Sequence, residues 1–392
     1  MNRLQYFSLR LFYFFYFSII GILIPYFPLY LKALGFKPID IGLVMAAWPL
    51  AKLLTPIFWS SLADRLGRRL LFIQVGALFC VLSYLPFFKI WGVWGFVAIM
   101  FLFSFFRMGI LPMVEAISME YCETHKKEYG QIRYWGSIGF IFSSFFFGWL
   151  IDHFSVHIVI WGMLGMLILQ MMTVFYFPQT GIVLAKKEQN LKIFLDKKIL
   201  SFLMICFLRT VSFGAYYGFF TIWMNEKGYS STTIGLSWAL AVFCEVLVMA
   251  HFGFFAKRFS LKTIVGVGDS LTVIRWLILA ATAWLPAILF AQTLHAFTFG
   301  AFHIAAVAYM YQHTPASMRS TGQAVYTSVS FGLGSTVGFW LFGYLKDFVH
   351  FETMFLVSAG IAALGIPFIK WFEEKKGASI PIIRAIPDKP YS

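Results

Sequence analysis

Residues Phe7–Leu31 read FSLRLFYFFYFSIIGILIPYFPLYL, with a single charge at Arg10. A helix needs roughly 20 predominantly apolar residues to cross a ~30 Å hydrocarbon core. This run is long enough, too long for a signal-peptide core, and without a small-residue cleavage site. It is expected to be a first membrane-spanning helix. Eleven further runs of the same kind follow. The predicted spans are 7–31, 38–62, 70–88, 93–118, 132–152 and 157–177, then 198–224, 231–255, 263–284, 286–311, 320–344 and 351–372. Between the two sets lies the longest internal polar stretch, 178–197. The expectation is an all-α membrane protein: an N-terminal six-helix half (1–177), a cytoplasmic linker (178–197), a C-terminal six-helix half (198–372) and a cytoplasmic tail (373–392).

The composition agrees. Of 392 residues, 60% are hydrophobic, 20% aromatic and 12% charged, and 48 are Phe. Soluble domains carry about 25% charged residues, so a soluble enzyme, a disordered chain and a fibrous repeat are all excluded. The net charge of +14 would suggest nucleic acid in a soluble chain. In a membrane protein it first reads as topology, because Lys and Arg gather in cytoplasmic loops. An even number of spans puts both termini on one side. Twenty Lys and Arg fall on that side; five (Lys32, Lys37, Lys89, Lys227 and Lys346) fall on the other; the remaining six lie within spans. The split predicts cytoplasmic termini and removes the need for a nucleic-acid partner. Cys80, Cys122, Cys206 and Cys244 have no metal-ligand spacing and imply no disulfide framework. No phosphate-binding glycine–lysine loop is present, so direct ATP drive is not expected. Neither a cofactor nor a metal is expected.

The second half repeats the first at an offset of 193 residues. Gly21 aligns with Gly214, Phe27 with Phe220, Gly35 with Gly228, Ile41-Gly42-Leu43 with Ile234-Gly235-Leu236, Ala63 with Ala256 and Arg65 with Arg258. Six spans repeated in parallel describe two pseudo-symmetric halves of a transporter.

The loop after the second span reads Ser60-Ser61-Leu62-Ala63-Asp64-Arg65-Leu66-Gly67-Arg68-Arg69. Gly67 permits a tight turn. Asp64 sits between helix ends, where it can meet Arg65, Arg68 or helix amides. The loop resembles the signature loop of the major facilitator superfamily, which implies a gate formed by Asp64, Arg65, Gly67, Arg68 and Arg69; the plain alternative is a basic topogenic loop. Ser60 departs from the family's first glycine, and Lys257 stands where the second half would carry its Asp. Tyr129-Gly-Gln-Ile-Arg133-Tyr-Trp-Gly-Ser-Ile-Gly139 is similar to a segment of the phenylpropionate permease group, akin to the lactose-permease-like proton symporters. The fifth span lacks the Gly-Pro of drug antiporters, which favours symport.

An ionisable side chain in mid-membrane costs ~3 kcal/mol or more, so such residues should face a cavity and find partners. They are Lys52, Arg107, Glu115, Arg133, Arg209, Glu245, Asp269, Arg275, His295 and His303. Glu115 and Arg133 lie near the inner ends of spans 4 and 5, joined by a short loop. The resemblance to lactose-like symporters implies that they bind substrate together; the alternative is a fixed salt bridge. Arg107 is a candidate for holding an anionic substrate or for pairing with Glu115. Trp135, Tyr216 and Tyr217 are candidates for lining the site, with packing an equal alternative. Lys52 reads as packing, with an inter-span pair as the alternative. Glu245, Arg275, His295 and His303 form a second constellation on spans 8 to 10. His303 follows His295 by eight residues, about 80° apart on an ideal helix. His titrates near neutrality, and a Glu–Arg pair that opens when the acid takes a proton is a coupling switch. Ala306 stands where lactose-like symporters carry an acid, which moves the expected proton site to Glu245. The alternative is a polar packing network.

The expected function is uptake of a small organic solute with protons, by alternating access, in a bacterial inner membrane, by a monomer. An aromatic carboxylate fits the resemblance; a nucleoside or a sugar is the alternative. A membrane-embedded transferase would need a catalytic cluster at one interface, and a non-transporting sensor would need an output domain.

Overall fold

The computed structural model describes residues 3–53, 55–90, 92–179, 191–315 and 318–372, and among them no strand occurs. Each predicted span is helical. The first is α1 (Arg3–Ala33); the second is divided into α2 (Pro38–Ala51) and α3 (Thr55–Leu66). Then come α4 (Arg69–Tyr84), α5 (Val93–His125), α6 (Tyr129–His153) and α7 (Ile158–Val174). The seventh span is α8 (Lys197–Ser212) with α9 (Gly214–Glu226), and the eighth is α10 (Ser231–Ala250) with the short α11 (Phe252–Arg258). α12 (Leu261–Ala281) is the ninth. The tenth is α13 (Leu285–Thr293), a π-helical turn at Ala296–Ala301, and α14 (Phe302–His313). The eleventh is α15 (Arg319–Thr327), a second π turn at Ser328–Gly334, and α16 (Ser335–Lys346). The twelfth is α17 (Phe351–Ala363), continued by a 3₁₀ turn at Ile366–Trp371. Among the described residues, nine helical stretches are long and apolar enough to cross a membrane; α2 and α7 are shorter apolar helices.

The internal repeat is a repeat of conformation. α1 ends with Gly35 at φ +84° and α9 with Gly228 at φ +86°, where a side chain would be strained. The closing hydrogen bonds match: Gly35 N–H to Lys32 O (2.9 Å) and Phe36 N–H to Leu31 O (3.1 Å), against Gly228 N–H to Asn225 O (3.0 Å) and Tyr229 N–H to Met224 O (3.1 Å). Both are Schellman motifs. The next aligned pair marks close helix approach. A methyl on Gly42 would come within 2.7 Å of Gly343 Cα, and one on Gly235 would collide with Ser144 O.

The chain folds as two compact units. One contains the described residues of Met1–Ala185, Tyr217–Ala239 and Phe339–Asp347; the other contains those of Lys186–Tyr216, Leu240–Gly338 and Phe348–Ser392. Residues 180–190 of the expected linker, and the expected tail from 373, lie outside the described residues.

Within the first unit, α1 packs on α6 and α7, while α2, α3 and α4 pack on α5. The ends of α9, α10 and α16 join this unit. They do so on the side with few basic loops. Lys32 Nζ lies 2.7 Å from Glu226 Oε1. The Asp152 carboxylate accepts from Ser231 N–H (2.7 Å), Thr232 N–H (2.8 Å) and the Thr232 hydroxyl (2.6 Å). It thus serves as a cap, supplied from α6, for the start of α10. Asp152→Ala leaves those donors without their acceptor and removes an anion from a helix N-terminus, a loss of about 1–2 kcal/mol. Hydrogen exchange of the Ser231 and Thr232 amides should accelerate roughly 5- to 30-fold; unchanged exchange would show that Asp152 does not hold this contact.

Within the second unit, Phe202, Tyr309 and Phe372 pack closely with tilted rings, centroids 4.3 Å (Phe202–Tyr309) and 4.2 Å (Tyr309–Phe372) apart. They anchor α8 and α14 against the end of the chain's described part.

Candidate functional site

Two polar clusters lie among the apolar helices, one in each unit. In the first unit, Glu115 on α5 lies within electrostatic reach of Arg133 on α6 and of Lys52. The sequence favours packing for Lys52, with an inter-span pair as the alternative. The structure brings it to the acid, because α2 ends at Ala51 and Lys52 caps it. The Arg133 guanidinium rests 4.0 Å over the Phe17 ring and 5.8 Å from that of Tyr13. Gly136, one turn along α6, makes room for it: a methyl there would lie 2.7 Å from Arg133 Nη1. The hydroxyls of Tyr13 and Tyr129 are 3.3 Å apart, and both tyrosines are within electrostatic reach of Glu115. The trio Lys52, Arg133 and Glu115 carries one surplus positive charge beside aromatic rings. A guanidinium fork with an ammonium beside it suits a carboxylate.

Three other residues named from the sequence stand elsewhere. Arg107 is fully buried and does not turn to Glu115. It donates to Gln170 Oε1 (3.2 Å) and to Tyr16 O, and lies 3.9 Å over the Tyr16 ring. These bonds tie α1, α5 and α7 together. Arg107 and Glu115 are eight residues apart on α5, a rise of about 12 Å. Trp135 packs edge-on to Phe14 and beneath Arg10. Tyr217 stacks on Trp238 at 6.1 Å.

In the second unit, α10, α12 and the tenth span bring Glu245, Arg275 and His295 into one line, with Arg275 hydrogen-bonded to His295 and Glu245 beside the ring. Arg275 Nη1 lies 2.9 Å from His295 Nδ1. A guanidinium has no acceptor, so Nδ1 must accept and the imidazole must carry its proton on Nε2. That nitrogen lies 3.4 Å from Glu245 Oε2. Arg275 Nη2 donates to Gln292 Oε1 (2.6 Å), which also accepts from the Tyr216 hydroxyl (2.9 Å). The Arg275 guanidinium lies 4.3 Å over the Tyr216 ring. Gly300 gives Glu245 its place, since a methyl there would come 3.1 Å from Glu245 Cγ.

His303 Nδ1 lies 2.9 Å from the Tyr326 hydroxyl. Its ring and that of His295 sandwich Phe299, at 5.8 Å and 5.2 Å, with planes inclined by 15° and 14°. The 80° offset expected on an ideal helix is therefore corrected: the backbone between the histidines is the π turn Ala296–Ala301, and the rings form one column. Phe331, in the second π turn, packs on both Phe299 and His303. Such turns are frequent at functional sites. Gln292 and its link to Tyr216 went unmarked in the sequence; the available signal was an amide inside an apolar run.

Of the loop motif, Gly67 takes φ +68°, the conformation a tight turn between α3 and α4 requires. The side chains of Asp64 and Arg65 lie outside the described residues, Arg68 is exposed and Arg69 is half-buried. Among the described residues no group of three or more His, Cys, Asp or Glu could hold a metal ion.

Buried charged side chains among apolar helices, on a helical chain that repeats itself, mark a multi-pass membrane transporter. The chain belongs to the MFS_1 like family, which matches residues 6–357, and so to the major facilitator transporters. It is similar to the "Probable 3-phenylpropionic acid transporter" of Escherichia coli (strain K12), with 27% identity over 371 residues, 92% of this chain and 96% of that one. It is 25% identical over 365 residues to the maltose permease of Geobacillus stearothermophilus, covering 91% of each. The crystal structure of the nucleoside transporter NupG shares the fold, with a TM-score of 0.83 at 16% identity over 96% of this chain and 100% of that one. The protein is a permease and a secondary transporter of a small molecule.

Proposed function

We propose that the protein takes up a small aromatic monocarboxylate together with a proton, by alternating access. The observation that carries this reading is the line Arg275–His295–Glu245. With Glu245 ionised, the line is neutral overall: one guanidinium, one neutral imidazole, one carboxylate. A proton on Glu245 weakens its attraction to His295 and gives the line one net positive charge. Proton loading thereby favours an anion, and anion loading favours a proton, which is the linkage a symporter needs. His303 and Tyr326, at the far end of the ring column, are a second station for the proton.

The substrate class rests on the surplus charge of Lys52, Arg133 and Glu115, on the neighbouring rings of Phe17, Tyr13 and Tyr129, and on the likeness to the phenylpropionic acid transporter. The protein works as a monomer in a bacterial cytoplasmic membrane with both termini inside, as the loop charges favour. Asp64, Arg65, Gly67, Arg68 and Arg69 gate the inner face. The contacts of Asp152 and of Lys32 with Glu226 close the outer one.

A competition panel tests the substrate class. In proteoliposomes, unlabelled 3-phenylpropionate should displace its own labelled uptake, whereas uridine and maltose should not. Displacement by uridine or maltose at equal concentration would transfer the reading to a nucleoside or a sugar.

A further inference from the structure

Asp269 lies on α12, six residues before Arg275, and the coupling line does not use it. It is fully buried. Among the described residues, neither of its carboxyl oxygens has a hydrogen-bond partner. A carboxylate in such a place would have lost its water without gaining a donor, which is the costliest state for the group. The protonated acid avoids that cost. The site is shaped around the carboxyl: a methyl on Gly365, just after α17, would come within 3.0 Å of Oδ2.

A countercharge stands within electrostatic reach. Arg209 on α8 interacts with Asp269 across the unit. Its guanidinium lies 3.9 Å over the Phe302 ring and donates to Thr298 O, in the π turn that separates the two histidines. Cys206, one turn earlier on α8, is also within reach. The elements packed on α12 offer little else. α13 and the π turn Ala296–Ala301 carry no titratable side chain. α17 carries Glu352 in its first turn, at the opposite end from Gly365. On α14, His303 is turned to Tyr326 and Tyr309 to Phe202 and Phe372. Lys370, in the 3₁₀ turn, lies over Trp371.

We propose that Asp269 is a further proton-binding site of the C-terminal repeat, distinct from Glu245 and from the His303–Tyr326 station. It holds its proton on the carboxyl in the conformation described here and, on releasing it, leaves a carboxylate that Arg209 neutralises. Because Asp269 and Arg275 share α12, a shift of that helix on release reaches the coupling line directly. What the proton does rests on the symport reading; whether it is there does not.

Infrared spectroscopy of the purified full-length protein in lipid nanodiscs, at neutral pH and without solute, tests the site. Asp269→Asn should remove one carboxylic-acid C=O band, and Glu245→Gln should leave that band in place. No acid band lost in Asp269→Asn would overturn the proposal. So would failure of that variant to fold, since the neutral amide is nearly isosteric with the protonated acid. Gly365→Ala, which crowds Oδ2, should move the same band without removing it; an unmoved band also contradicts the site. With 3-phenylpropionate as probe, Asp269→Asn should retain exchange and lose proton-driven accumulation. If the wild type does not transport that acid, the substrate reading fails, and the infrared result still decides Asp269.

Discussion

Glu245→Gln should lose proton-driven accumulation of solute while keeping exchange of solute across the membrane. Glutamine mimics the protonated acid in shape and charge, so the variant is fixed in the loaded form. It can bind solute, reorient and release, but it cannot return with an ionised carboxylate beside His295. The initial rate of proton-driven uptake should fall roughly 100-fold, the low end of what a positioned proton-transfer group contributes. Counterflow between equal solute concentrations should stay within about threefold, less than 1 kcal/mol on a barrier. The geometry gives the reason. His295 Nδ1 is occupied by Arg275 and its Nε2–H faces Glu245, so the imidazole cannot take a further proton until Arg275 leaves. Of the three groups, Glu245 is the carboxylate, the one that takes a proton without first losing Arg275. Accumulation by Glu245→Gln at the wild-type level would remove Glu245 from the mechanism.

Arg133→Gln should weaken binding of a carboxylate solute roughly 10- to 100-fold. Hydrogen bonds to a charged partner contribute about 1.5–3 kcal/mol, and this change also cancels the surplus charge of the cluster, leaving Lys52 and Glu115 to neutralise each other. Arg133→Lys restores the charge without the planar fork, and it gives up the stacking on Phe17 at 4.0 Å, so it should fall between the two. Equilibrium binding of 3-phenylpropionate to the purified variants reads this directly. If Arg133→Gln bound the acid as tightly as the wild type, Arg133 would be a fixed partner of Glu115 and nothing more. That is the salt-bridge alternative the sequence left open.

The parts of this architecture that were legible from sequence are those set by strong, local physics. The bilayer fixes the length of an apolar run, and each run placed by that rule is helical in the described residues. The glycine pair Gly35 and Gly228 was legible as an alignment, and it proves to be the same left-handed helix stop twice over. Glu245, Arg275 and His295 were legible because a charge in the membrane is rare. Gln292, which completes that cluster with the lining candidate Tyr216, was not, because neutral polar side chains are common enough in apolar helices to raise no alarm. The π turn was also invisible. Ala296–Ala301 has the apolar character of its neighbours, so nothing in it signals that the backbone between His295 and His303 departs from a regular helix. The pair reading of Lys52 was the weaker one in the sequence for a related reason. Its position follows from where α2 stops, and the apolar pattern runs on through that point. Arg107 was legible as buried, but its bonds to Gln170 and Tyr16 depend on the packing of α1 and α7 on α5, which no local pattern encodes.

The central claim is that solute and proton move together. The direct measurement is the pH outside proteoliposomes, at zero membrane potential and without an imposed pH gradient, when 3-phenylpropionate is added to wild-type protein. The account predicts a rise in external pH that follows solute entry in time and is absent in Glu245→Gln. Entry of the acid anion with no accompanying rise in external pH would contradict it.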